Sequence, residues 1–177
     1  MSNKIKILDL STLIPGPFSS FLLRKHLGAE ILKIEDTNQP DALINMRPTE
    51  NGVGLSYSGI NSEKQILKVD MRKDGIERIK QEIKDTIVFI ENFKPGRAFK
   101  LGIGYEDLVK INPRLIYCSI TGYPSNHPLY QKSAHDLNIL SLSGYLDQQS
   151  RLGESLRSMR WILLRFNELP ITIDWKV

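Results

Sequence analysis

The chain has a single cysteine, Cys118, so an intramolecular disulfide is excluded. Its setting, RLIYCSI, reads as a buried strand, which makes Cys118 a core residue rather than a nucleophile. Histidine is nearly as scarce. His26, His127 and His135 are widely scattered, and with one cysteine they lack the close ligand spacing of a metal site, so no metal is expected. No run reaches the roughly 18 apolar residues of a membrane span. The N-terminal MSNKIKILDLS lacks the apolar centre of a secretory signal. No membrane partner is therefore expected, and the cytoplasm is the default location. Charge of one sign is also missing as a block: the net charge of +4 is dispersed, so a nucleic-acid partner is not indicated. Internal repeats, low-complexity runs, a G-x-G-x-x-G fingerprint and a Walker motif are absent.

What is present is an ordinary globular composition, 41% hydrophobic and 25% charged over 177 residues, enough for one domain with a real core. IKILDL (5–10) reads as a buried strand, STLIPGP as a loop, and FSSFLLRKHLG as a helix that Gly28 stops. AEILKIE (29–35) is a second strand, completing a βαβ unit. Residues 36–63, with Pro40, Pro48, Gly52, Gly54 and Gly59, read as loop. QILKVDM (65–71) is a third strand. KDGIERIKQEIKD is a helix with Ile76, Ile79 and Ile83 on one face. TIVFIENF is a strand buried on both faces. Two short helices, a fifth strand in RLIYCSITGY and a helix starting in SAHDLNILSLSG follow. The alternation predicts an α/β fold with a largely parallel sheet and helices on both faces, and ligands bind beyond the carboxyl ends of such strands.

Four loops leave those ends. IPGPFSS precedes a helix and could hold an anion on free backbone N–H groups, or serve as a simple turn. DMRKDG and ENFKPG carry Arg72, Lys73, Lys94 and nearby Arg97, cations that could clamp a diphosphate between two loops. The fourth carries His135 beside Asp136. Ser133 can cap the helix that begins there and Asp136 suits its first turn, while a histidine at a helix start suits a general base. A capped helix with an idle imidazole is the alternative.

Taken in order, ILDLSTLIPGPFSSFLLRKHLGAEILKIE, ILKVDMRKDG, ENFKPG, LGIGYEDLVKINPRLIYCSITGY and AHDLNILSLSG resemble the class III CoA-transferase (CaiB/BaiF) family. That family includes formyl-CoA and carnitine CoA-transferases and α-methylacyl-CoA racemase. The likeness runs from about residue 4 to about residue 150. It implies a Rossmann-like sheet, the N-terminal part of the family's large domain. It implies CoA or acyl-CoA as ligand, with the thioester as substrate and no separate cofactor, and it implies a homodimer. In the racemase branch, the segment matching Val69, Asp70, Met71 and Arg72 lines the CoA site, with Arg72 where lysine is usual. The segment matching Ala134, Asp136, Leu137, Asn138 and Ile139 lines it too. Lys94 stands where many members have arginine, which keeps the charge and loses the planar fork. His135 matches the racemase-type base, which takes the proton α to the thioester carbonyl. Transferase members use a carboxylate nucleophile instead, so the resemblance leaves transferase and racemase chemistry both open.

Beyond about residue 150 the likeness stops. The family continues into a glycine-rich segment with a second catalytic aspartate, and ESLRSMRWILLRFNELPITIDWKV offers no match. Residues 1–150 hold 13 Lys and 6 Arg, whereas residues 151–177 hold 1 Lys, 4 Arg and both tryptophans. The reading is therefore a truncated family domain over 1–150 followed by a divergent tail over 151–177. A frameshift or truncated gene would produce that tail, and a genuine divergent ending is the alternative. Two functions follow: an acyl-CoA enzyme of transferase or racemase type, or an inactive CoA-binding remnant or half of a split enzyme.

Overall fold

The computed structural model describes residues 4–151 and 172–176. They fall into two compact units, one built from residues 4–120 with 173–176, the other from residues 121–151 with 172. In the first, the strands are β1 (Lys6–Asp9), β2 (Glu30–Asp36), β5 (Gln65–Val69), β6 (Val88–Glu91) and β7 (Ile116–Thr121), with β8 (Thr172–Lys176) beyond β7. The sheet order is β5-β2-β1-β6-β7-β8, and the pairings among the first five strands are all parallel. Between them run α1 (Pro15–Leu27), α2 (Leu55–Asn61), α3 (Gly75–Ile83), α4 (Arg97–Lys100) and α5 (Tyr105–Leu108). A hairpin of β3 (Thr49–Glu50) and β4 (Val53–Gly54) stands apart from the sheet.

Strand periodicity puts helices on both faces. Leu8, Leu10, Phe89 and Tyr117 point to one side and pack with Ile79 and Ile83 of α3, as the period-3.6 spacing of those isoleucines predicts. Ile7, Ile31, Ile90 and Ile120 point to the other side, where Leu23 of α1 joins them. Each fully buried leucine or isoleucine here contributes about 1.5–3 kcal/mol relative to exposure. Gly28 ends α1 as expected, with φ 66° and its N–H donating to the Arg24 carbonyl at 2.9 Å. Gly16 has a steric reason: a Cβ there would lie 2.1 Å from the Ser11 hydroxyl.

Residues 36–63 differ from expectation. They form a 3-10 helix (Ala42–Asn45), the small hairpin and α2 rather than a plain loop. The glycines and prolines punctuate short elements. Asp41 caps the 3-10 helix by accepting the Leu43 N–H at 3.0 Å, and Leu43 itself is buried. The third strand stops at Val69, two residues early, where the Asp70 carbonyl turns back to accept the N–H groups of Lys73 and Gly75. Most of the divergent tail, residues 152–171, lies outside the described residues. No helix among the described residues is long and apolar enough to cross a membrane.

Candidate functional site

Strand order sets the location. From β1 the chain moves one way to β2 and β5, then returns to place β6 on the other flank of β1. The β1–β6 boundary is therefore the topological switch point, the place at the carboxyl edge where ligands bind in open α/β sheets. The loop after β1 is Leu10–Ile14, and the loop after β6 begins at Asn92.

Beneath the first loop lies a polar floor that sequence reading did not find. Asp9 is fully buried, accepts from the Ser11 N–H at 3.0 Å and from the hydroxyls of Ser11 and Ser20, and pairs with Lys64 at 3.1 Å. Burial pushes its pKa up, but Lys64, Lys33 and the two serine hydroxyls outweigh that and hold the carboxyl below its ordinary value. Lys33, at 0% exposure in mid-β2, donates to the Ser11 carbonyl at 2.7 Å and lies 4.0 Å from Asp41. The available signal was a lysine between Leu32 and Ile34 in a strand covered on both faces, where a charge needs a partner.

The anion reading of IPGPFSS has few donors to draw on here. The helix starts Pro15-Gly16-Pro17, so two of its first three residues have no N–H. The Thr12 and Leu13 amides are spent on Asn92 and Asp41, at 2.9 Å each.

The two basic loops sit at the same carboxyl edge, but on strands three places apart, roughly 14 Å at the usual strand spacing. The loop after β2 bridges them. Asn38 donates to Asp70 at 2.6 Å, and Gln39 accepts from the Arg97 guanidinium at 2.7 Å. Arg97 also stacks over Phe93, 5.0 Å from the ring centroid. Arg72 and Lys94 are exposed; Lys73 lies 3.7 Å from Asp70. The Arg72 N–H bond holds the Asp70 carboxyl below its usual pKa, aided by Asn38 and Lys73. Val69 and Met71 turn their side chains into the core, so toward solvent this segment presents Asp70 and Arg72.

Glu91 ends β6 buried, accepting from the Phe93 N–H at 2.6 Å and the Tyr117 hydroxyl at 3.3 Å. Burial raises its pKa more than Ser119, Phe93 and Tyr117 lower it. The Cys118 thiol is pushed up to about 11 by burial and then by Glu91 and Asp9, which keeps it protonated and unreactive at neutral pH.

The second unit holds the other predicted residues. Ala134 packs against Gly122, where a Cβ would come within 1.8 Å of the alanine methyl. His135, exposed and extended at φ −114° and ψ 162°, is the N-cap of α6 (Asp136–Leu142), and its carbonyl accepts from Asn138 at 3.0 Å. It occupies the position assigned to Ser133. Its imidazole makes no capping bond, which leaves the ring outside the helix hydrogen bonding. Leu137 and Asn138 are exposed, Ile139 is half-buried and Leu140 is buried, so α6 is anchored by few of its apolar residues. Asp136 is the first residue of α6, which α7 (Tyr145–Arg151) follows.

Comparison with known proteins gives one consistent result. Residues 3–163 match the family described as CoA-transferase family III. A human succinyl-CoA:glutarate CoA-transferase is 35% identical over 80% of this chain and 33% of its own length. A human alpha-methylacyl-CoA racemase is 31% identical over 85% of this chain and 36% of its own. Among solved structures, a CaiB/BaiF family protein from Brucella suis superposes with a TM-score of 0.75 at 30% identity, covering 83% of this chain and 40% of that one. The chain thus spans about a third of the length of the curated relatives it matches.

Proposed function

The chain belongs to CoA-transferase family III, and from that membership we propose that it binds CoA and acyl-CoA thioesters, with His135 as a base toward the acyl group. The observation that carries the reading is the bridged pair of basic loops at the sheet's carboxyl edge: Arg72 and Lys73 on one, Lys94 and Arg97 on the other, joined through Asn38 and Gln39. CoA carries a diphosphate and a 3′-phosphate, and a split cationic rim suits two separate anionic groups. Arg97, already stacked and hydrogen-bonded, presents its charge at low entropic cost. Lys94 and Arg72 are free to move onto a phosphate.

The chemistry assigned to His135 is removal of the proton α to the thioester carbonyl. The C–H pair moves into the C–C bond, the carbonyl oxygen becomes an enolate, and the imidazole leaves as imidazolium. An exposed ring outside the helix hydrogen bonding is open to that role. Val69, Met71, Ala134, Asp136, Leu137, Asn138 and Ile139 are assigned to the ligand environment by the family likeness, Val69 and Met71 through their backbone alone. A homodimer is the assembly the family suggests.

A second reading keeps the ligand and drops the turnover: a CoA-binding chain, or one half of a two-chain enzyme. It is favoured by the bare setting of His135, whose imidazole is not tied into the helix start. Incubating a 2-methylacyl-CoA with the chain in D2O and following the α-proton by NMR separates the two. Exchange that disappears in His135→Ala supports the base, and exchange that survives unchanged removes it. Calorimetric CoA binding without exchange selects the second reading. Arg72→Ala should weaken CoA by about 1–3 kcal/mol, the scale of a lost charge-assisted hydrogen bond, and equal affinity would remove Arg72 from the site.

A further inference from the structure

Three consecutive residues at the switch point have most of their backbone polar groups held by side chains, and all but one of those side chains come from other elements. The Ser11 N–H donates to Asp9 at 3.0 Å, and the Ser11 carbonyl accepts from buried Lys33 at 2.7 Å. Thr12 is clasped at both ends by one amide: its N–H donates to Asn92 Oδ1 at 2.9 Å and its carbonyl accepts from Asn92 Nδ2 at 2.8 Å. The Leu13 N–H donates to Asp41 at 2.9 Å. Asp9 is local to the loop. The other three arrive from β2, from the cap of the 3-10 helix and from just past β6, so the clasp of Asn92 crosses the switch point itself.

The held conformation is not one the loop would choose. Leu13 sits at φ 62° with its side chain 39% exposed. A left-handed leucine costs about 1–2 kcal/mol, and such a residue persists where its surroundings over-determine it. The bonds to Thr12 and Leu13 do that, while an exposed leucine gains little burial in return. Neighbouring loops receive fewer bonds from other elements: Asn38 donates to Asp70 and Asp36 accepts the Met71 N–H at 3.4 Å in one basic loop, and Gln39 accepts from Arg97 in the other.

We infer that Lys33, Asp41 and Asn92 are positioning residues that preassemble the β1–α1 loop at the switch point, so that a ligand meets it already ordered. The ligand in question is the CoA thioester of the preceding section, and that half of the inference rests on that reading. The preassembly half does not, and one experiment separates them.

Amide hydrogen exchange by NMR on the full ligand-free chain should find Thr12 and Leu13 protected, and adding CoA should not raise that protection. Asn92→Ala should speed exchange at Thr12 and Leu13 by at least about tenfold while Ile79 and Ile83 in α3 keep theirs. It should weaken CoA binding by about tenfold, the scale of reordering one or two residues. The double variant Lys33→Met/Asp41→Asn removes both charges of the buried pair together, which leaves neither stranded, and should act the same way. Unprotected loop amides in the ligand-free wild type would overturn the inference. So would undiminished protection in both variants, or faster exchange at Ile79 and Ile83 by the same factor, which marks a purely structural role. A wild type with protected loop amides and no CoA binding would uphold the clamp and remove the CoA reading alone.

Discussion

The switch point and the His135 segment are opposites in construction. At the first, buried charges and amides from several elements converge on one short loop. At the second, an exposed histidine opens a seven-residue helix whose Leu137 is 50% exposed and whose burial rests on Leu140. The contrast separates two ways of making a site. A clamped loop is ordered by the fold and stands or falls with it. An exposed N-cap residue with no capping bond costs the fold little, so it can be replaced without cost to stability.

The largest expected effect tests that division directly. Lys64→Met strands the fully buried carboxylate of Asp9 and should cost about 3–5 kcal/mol, read by urea denaturation. His135→Ala loses no capping bond and should stay within about 0.5 kcal/mol of wild type. Comparable losses from the two would break the comparison.

The second effect concerns two buried carboxylates at adjacent strand ends with opposite shifts. Asp9 is held down, so its stabilisation is present above the ordinary aspartate pKa and is lost as pH falls through its lower folded value. Glu91 is held up, so its contribution is full below about pH 4.3 and is lost as pH rises through the raised folded value. Glu91→Gln should therefore gain stability relative to wild type between pH 4 and pH 7. Urea midpoints measured at both ends of that range check it, and a constant difference would mean that Glu91 titrates normally.

The smallest effect sharpens the clamp. Leu13→Gly relieves a left-handed backbone but loosens the unfolded chain, two terms of about 1 kcal/mol that oppose each other. Thermal denaturation should move by no more than a few degrees. A large loss would mean that the leucine side chain, rather than its held amide, secures the loop.

Most local features were legible in the residues themselves. Ile79 and Ile83 announced the buried face of α3, Gly28 announced the end of α1, and the Val88–Glu91 run announced a strand covered on both sides. The basic loops were legible as charge beside strand ends, and the family likeness was legible because its motifs keep their order. Ser133 has the stronger capping side chain, but the chain path puts His135 at the N-cap, which residue type alone does not reveal. The elements within 36–63 are not legible in the sequence because glycine and proline mark the ends of short elements as readily as they mark loops.

Residue type and spacing along the chain determined the alternation of strands and helices, the two apolar faces and the charges at the strand ends, because period and propensity are local properties. Only the tertiary structure decided that β6 returns to the flank of β1, and with it that Asn92 clasps Thr12 from 80 residues away. It alone set Lys33 beside Ser11 and Asp41, and Lys64 beside Asp9. Those pairings follow from strand order and from the need of each buried charge for a partner. Neither depends on the residues next to it in the chain.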